Sequence, residues 1–274
     1  MELPFGLKRL FVVALIMCCF GCSADKAVVI EDSGDRRIVR LDVASANIYI
    51  VEENGKRLMI DAGNPGDEDR YEALMRESGI DPATIDFAIL THGHIDHAGT
   101  AAFFQDRYGI QIIGGAGDQS MIEAAGDVDL CPTSVVAELL HMTLKGKQYP
   151  AFELDRGISA AEGIVDLAEF GMTGKVIPHS GHTPGSMVIT IGSHAFVGDL
   201  IRGGVLRPEV PTTHFFMCDL EENRRRISEI IALHEIRYWH PGHFGPFPSA
   251  AVAQYLAQQL CVVLALHVRP IFDS

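Results

Sequence analysis

Seven consecutive residues constrain this 274-residue chain more than any other feature: Thr91-His92-Gly93-His94-Ile95-Asp96-His97. They follow a short apolar run, residues 85–90, that reads as a strand. In extended backbone, residues i and i+2 point to the same face, so His92 and His94 can converge on one cation. In a helix they would diverge by about 200°, so the segment must be extended or a loop. Gly93 between them permits close packing and unusual dihedrals. Asp96 and His97 fall where a helix begins. Loops at strand ends are where α/β folds place chemistry. A scatter of structural or surface histidines is the competing explanation, and three His and one Asp within six residues argue against it.

One cation needs more donors than this pair supplies. Protein zinc sites use His nitrogen and carboxylate oxygen, and hydrolytic ones keep a position for water. Three later segments offer donors at turns after strand-like runs. They are Gly181-His182-Thr183-Pro184-Gly185-Ser186, Val197-Gly198-Asp199-Leu200 and His240-Pro241-Gly242-His243. Each is weak alone, because His or Asp beside Gly is commonly a turn residue. Their succession in this order gives them weight.

Strand-like and helix-like runs alternate along the rest of the chain. Strands are expected at 37–43, 46–51 and 57–60, with Ile48 and Ile50 on one face and Tyr49 and Val51 on the other. Glu53-Asn54-Gly55-Lys56 carries a hairpin turn signal. Helical spacing follows at 68–77, where Tyr71, Leu74 and Met75 share one side. Helices are expected at 98–108, 119–125, 134–144, 220–234 and 250–266, and strands at 110–113, 163–170, 174–177, 187–191, 194–197 and 236–239. No Pro/Ser-rich linker or internal repeat divides the chain, so residues 22–274 read as one α/β domain with antiparallel early strands.

Charge and the N-terminus bound the partners. A net charge of −14 lacks the basic footprint of a nucleic-acid binder, which points to a small-molecule substrate and no nucleic acid. Lys8 and Arg9 precede the apolar residues 10–20, a run too short to span a bilayer and suited to a signal peptide. Gly21-Cys22 resembles a bacterial lipobox. Residues 1–21 would then be removed and Cys22 lipidated, giving a periplasmic protein whose only membrane contact is its anchor; cleavage after Ala24 would instead give a soluble secreted one. Cys131, Cys218 and Cys261 fit no metal knuckle and are read as apolar thiols with at most one bridge.

The pattern His92-x-His94-x-Asp96-His97, followed by His182, Asp199 and His243, resembles the metallo-β-lactamase-fold hydrolase superfamily, as does Asp61-Ala62-Gly63. The resemblance runs over residues 38–246. It implies a four-layer αβ/βα sandwich with the site along one edge. It also implies that His92, His94 and His182 hold one metal, that Asp96, His97 and His243 hold a second, and that Asp199 bridges them. Asp61 would support the ligand loop from behind. His243 takes the family's position in Pro-Gly-His, whereas His240 ends a strand. His179 reads as a packing or supporting residue, and His141, His194, His234 and His267 as background.

Two Zn²⁺ ions, with Fe or Mn as alternatives, would generate a bound hydroxide at neutral pH and polarise a carbonyl, with Asp96 orienting the nucleophile. Hydrolysis of an ester, thioester, lactone or amide is therefore expected. An iron oxidoreductase of the same fold, of the persulfide dioxygenase kind, and a zinc β-lactamase are the alternatives. Asp199 stands where familiar zinc β-lactamases have Cys or Ser, and the stretch after His243 is short for the helical glutathione-binding domain of glyoxalase II. The irregular insert 127–156 is expected to form a helical lid contributing Leu140, Met142 or Tyr149. Arg202 would bind an anionic substrate group, and Thr213-His214-Phe215-Phe216 would line the pocket.

Overall fold

The computed structural model describes residues 24–126 and 130–267, with side chains to residue 259. Cys22, the expected signal segment and the side chains of Cys261 and His267 lie outside the described residues. Seven strands form the first sheet in chain order: β1 (Lys26–Asp32), β2 (Arg36–Val43), β3 (Ala46–Glu53), β4 (Lys56–Ile60), β5 (Phe87–Ile89), β6 (Gln111–Gly115) and β7 (Arg156–Ile158). The first four pair antiparallel through tight turns. Asn54 and Gly55 make one of these turns at φ 53° and 75°, the left-handed conformation a two-residue hairpin loop requires. From β4 onward the strands run parallel, which demands crossovers. These are α1 (Glu68–Glu77), then α2 (Ile95–Ala98) with α3 (Ala101–Tyr108), then α4 (Gln119–Glu123) with α5 (Val135–Leu144).

The second sheet draws on β8 (Val165–Asp166), β9 (Lys175–Pro178), β10 (Met187–Ile191), β11 (His194–Gly198), β14 (Tyr238–Pro241) and β15 (Phe247–Pro248), in the spatial order 15-14-11-10-9-8. A small ribbon of β12 (Arg202–Gly203) and β13 (Pro211–Thr212) stands apart. Helices α6 (Leu220–Ile231) and α7 (Ser249–His267) flank this half.

Side-chain alternation makes the layers. On β3, Ile48 and Ile50 join Tyr71, Met75 and Phe104 of the helices, while Tyr49 and Val51 face the other sheet. On β10, Met187 and Ile189 meet them in that central layer, and Val188 turns outward to Ile227 and Val252. Three apolar layers thus separate helices, sheet, sheet and helices, the four-layer αβ/βα sandwich the motif implied. Each fully buried Ile or Leu adds about 1.5–3 kcal/mol to its cohesion.

Some elements differ from the sequence reading. β1 is missing from it because none of its residues is fully buried and its short apolar run, residues 27–30, shows no alternation. Strands of two or three residues, such as β7, β12, β13 and β15, carry too little pattern to be read. The expected strand 163–170 is only β8 followed by a 3-10 turn, Leu167–Phe170, which Asp166 caps by accepting from the Ala168 N–H at 2.8 Å.

Candidate metal centre

The candidate donors all sit at strand ends along one edge. His92, His94, Asp96 and His97 lie just after β5, His182 between β9 and β10, Asp199 just after β11, and His243 just after β14. The parallel pairing of β11 with β14 brings Asp199 and His243 to the same edge.

One group is built from three rings standing on edge to one another. His92, His94 and His182 have centroids 4.5–4.7 Å apart and interplanar angles of 86°, 86° and 89°. His182 Nε2 lies 3.1 Å from His92 Nε2 and 2.9 Å from His94 Nδ1. Neutral imidazoles cannot all satisfy one another in that arrangement, since each nitrogen that lacks a proton presents a lone pair. A cation satisfies all three.

The second group comprises Asp96, His97, Asp199 and His243, whose ligand atoms lie within 4.8 Å of one another. His243 Nε2 is 3.2 Å from Asp96 Oδ2. The Asp199 carboxylate is divided between the groups. Its Oδ1 is 3.3 Å from His97 Nε2 and 3.5 Å from His243 Nε2, whereas its Oδ2 is 3.8 Å from His92 Nε2 and 3.7 Å from His182 Nε2. Both His97 Nε2 and Asp199 Oδ1 are buried without a hydrogen bond. Buried polar atoms are rarely left so, and a cation between them supplies the missing partner.

Three of the rings are anchored through the far nitrogen. His97 Nδ1 meets Asp61 Oδ2 at 2.8 Å, His182 Nδ1 the Phe216 carbonyl at 2.8 Å, and His243 Nδ1 the Ser45 carbonyl at 2.8 Å. A donating Nδ1–H turns the Nε2 lone pair inward. Asp61 also accepts from the Thr91 N–H and hydroxyl, so one carboxylate fixes both the turn and the ring. Ser45 and Ala44, at φ 73° and 49°, form the β2–β3 turn in a conformation unusual for residues with a side chain.

Asp118 gave no sequence signal, yet it ties the ligand loops together. It accepts from Gly93 N at 2.9 Å, Thr183 Oγ1 at 2.7 Å and Gly185 N at 2.7 Å. Burial raises its pKa, and those three hydrogen bonds work the other way. Close approach also fixes one glycine: a Cβ on Gly242 would sit 2.2 Å from His97 Cε1 and 2.7 Å from Asp199 Oδ1.

Electrostatics separate the two groups. Burial pushes His94 down to about 4 and His182 to about 3, and holds His92 well below the usual range. Burial also opposes charge on His243 and His97, but there the carboxylates prevail. Asp199 and Asp96 raise His243 to about 10, and Asp199 with Asp61 holds His97 well above its ordinary value.

A cavity of about 390 Å³ opens over the centre. Leu140 lines it from α5, together with Phe215 and Phe216. His141, read from sequence as background, lines it as well. Met142 does not contribute, being 75% exposed on the outer face of α5. Nor does Tyr149, which is buried below the metal loop and donates its hydroxyl to the Gly93 carbonyl at 2.7 Å. Arg202 lines the cavity at 8% exposure, its guanidinium 3.7 Å above the Phe215 ring. Cys131 and Cys218 form a disulfide that joins the insert to the 213–218 segment. His240 pairs with His194 at 2.8 Å, away from the centre.

Layers and donors together define a metal-binding αβ/βα protein. The family profile described as Metallo-beta-lactamase superfamily matches residues 41–243, and the chain belongs to that family. A hydroxyacylglutathione hydrolase of Anaeromyxobacter dehalogenans (strain 2CP-C) is 27% identical over 153 residues, 56% of this chain and 45% of that protein. The chain thus spans less than half of that curated relative's length. A metallo-beta-lactamase of Cronobacter sakazakii with a HARLDQ motif superposes with a TM-score of 0.62 at 15% identity, covering 92% of this chain and 97% of the other. Residues 92–97 here read His-Gly-His-Ile-Asp-His, with His in the places of that motif's Arg and Gln. A subclass B3 metallo-beta-lactamase of Bradyrhizobium japonicum gives 0.60 at 17%, covering 88% and 94%.

Proposed function

We propose that the chain is a dinuclear zinc hydrolase of small ester, thioester, lactone or amide substrates that carry an anionic group. The division of the Asp199 oxygens between two donor groups carries this reading, because a carboxylate that faces both groups would serve a cation in each. His92, His94 and His182 would hold one cation and Asp96, His97 and His243 the other. Cations held there would supply a water of lowered pKa and polarisation of the scissile carbonyl. Asp96, 30% exposed at its side chain and facing the cavity, is placed to accept a hydrogen bond from that water. Leu140, Phe215 and Phe216 receive the apolar part of the substrate and exclude bulk water.

Arg202 supports the anionic substrate. It has no ion pair among the described residues; it donates from Nη1 to the Gly203 carbonyl at 2.7 Å, and its Nε is buried without a partner. Burial lowers its pKa to about 10, so it remains charged at neutral pH. A buried guanidinium lacking a carboxylate is costly unless a ligand supplies one. The thioester of the hydroxyacylglutathione hydrolase relative fits this class.

Zinc-loaded protein should therefore bind two equivalents and turn over a member of a panel of thioesters, lactones, phosphoesters and β-lactams. His94→Ala should lower that rate about 10³-fold, the loss of about 4 kcal/mol of charge stabilisation. Undiminished turnover in the variant would defeat the reading. We further propose export with a lipid on Cys22, which the Cys131–Cys218 disulfide supports because such bonds persist in oxidising compartments. Labelled palmitate should enter the full chain and fail to enter Cys22→Ala.

A further inference from the structure

His214 belongs to none of the motifs that identify the centre, yet it stands inside it. It is buried, and its Nε2 lies 3.1 Å from Asp199 Oδ2. That oxygen is the one turned toward His92 and His182. The His214 ring stands at 88° to His182 with centroids 5.0 Å apart, continuing the on-edge arrangement of the first three rings. His182, Asp199 and His214 place their ligand atoms within 4.8 Å of one another.

The local chain holds the ring in that pose. The Phe216 carbonyl faces His182 Nδ1 at 2.8 Å and His214 Nδ1 at 3.1 Å, and Phe216 N lies 3.2 Å from His214 Nδ1, so the Phe216 peptide orients both rings with Nε2 inward. The segment is fixed in turn by the insert. Thr133 N donates to the Phe215 carbonyl at 2.8 Å, Met217 N to the Cys131 carbonyl at 2.8 Å, and Thr133 Oγ1 to the His214 carbonyl at 3.0 Å, beside the Cys131–Cys218 bond.

We propose that His214 is an eighth donor of the centre, adding a fourth imidazole nitrogen to the cation site of His92, His94 and His182. The inference rests on the dinuclear reading above. It divides labour between the cations. Four nitrogens and Asp199 Oδ2 crowd the first site, as in sites closed to exchange, and leave the exchangeable positions on the Asp96 side.

Co(II) loaded into the full chain tests this without reference to turnover. Each imidazole bound to Co(II) contributes one strongly shifted, exchangeable ring N–H proton resonance. The wild type should show one from each of His92, His94, His97, His182, His214 and His243. His214→Gln should lose one resonance and bind the first Co(II) at least tenfold more weakly, because an amide that only held Asp199 would leave the imidazole count unchanged. Two bound Co(II) with one resonance fewer in the wild type overturns the assignment of His214 and leaves the dinuclear reading standing. Fewer than two Co(II) per chain overturns both. The wild-type count stands even where the variant fails to fold.

Discussion

The two donor groups lie side by side and differ in kind. The His92, His94 and His182 group is nitrogen-rich, deeply buried, and kept neutral by burial. The Asp96, His97 and His243 group mixes a carboxylate with two imidazoles, reaches solvent at Asp96, and with Asp199 and Asp61 beside it draws positive charge onto those imidazoles. The same fold edge builds both, so the contrast comes from which residues each loop presents.

Removing their shared member should have the largest effect. Asp199→Ala is expected to cut turnover roughly 10³-fold and release at least one equivalent of metal, read by elemental analysis after dialysis. Retention of both equivalents would mean that the groups are independent. Next comes a substitution aimed at one group. Asp61→Ala frees His97 and also releases Thr91, which touches His92, so affinity should fall about 10–100-fold at the Asp96 side and by a smaller factor at the other, measured by titration with zinc.

Acid and alkali should separate the groups in chelated protein. His243, raised from 6.5 to about 10, contributes stability that is present in full below pH 6.5 and lost as pH rises toward 10. His182 and His94, lowered to about 3 and 4, contribute stability present above pH 6.5 and lost as pH falls. The thermal unfolding temperature should therefore fall on both limbs. His243→Ala should flatten the alkaline limb and His182→Phe the acid one; the reverse assignment would break the contrast. Smallest of all, His240→Phe should leave metal content unchanged and cost about 1 kcal/mol, the worth of its hydrogen bond to His194 in a denaturant melt.

What the sequence revealed follows from locality. His92 and His94 are legible because two-residue spacing after a strand has one geometric meaning, and His182, Asp199 and His243 because each stands in a glycine-marked turn after an apolar run. Asp118 and His214 were not legible as members of the site. Asp118 acts on Thr183 and Gly185 more than 60 residues away, and His214 was read only as pocket lining. Leu140 and Met142 show a similar limit: both were assigned to the lid, but helical rotation between them sends Met142 into solvent. The pairing of Cys131 with Cys218 across 87 residues had no spacing that fixed it.

Asp118 joins a loop of the first sheet to a loop of the second, and the cation donors do the same on a larger scale: His92 and His97 come from one sheet, His182, Asp199 and His243 from the other. Metal bound there would rivet the sandwich shut along its open rim. Loading should consequently register far from any reacting bond, as slowed amide exchange in the central layer around Tyr49 and Ile189, and the ions would then be fasteners of the architecture as much as reagents.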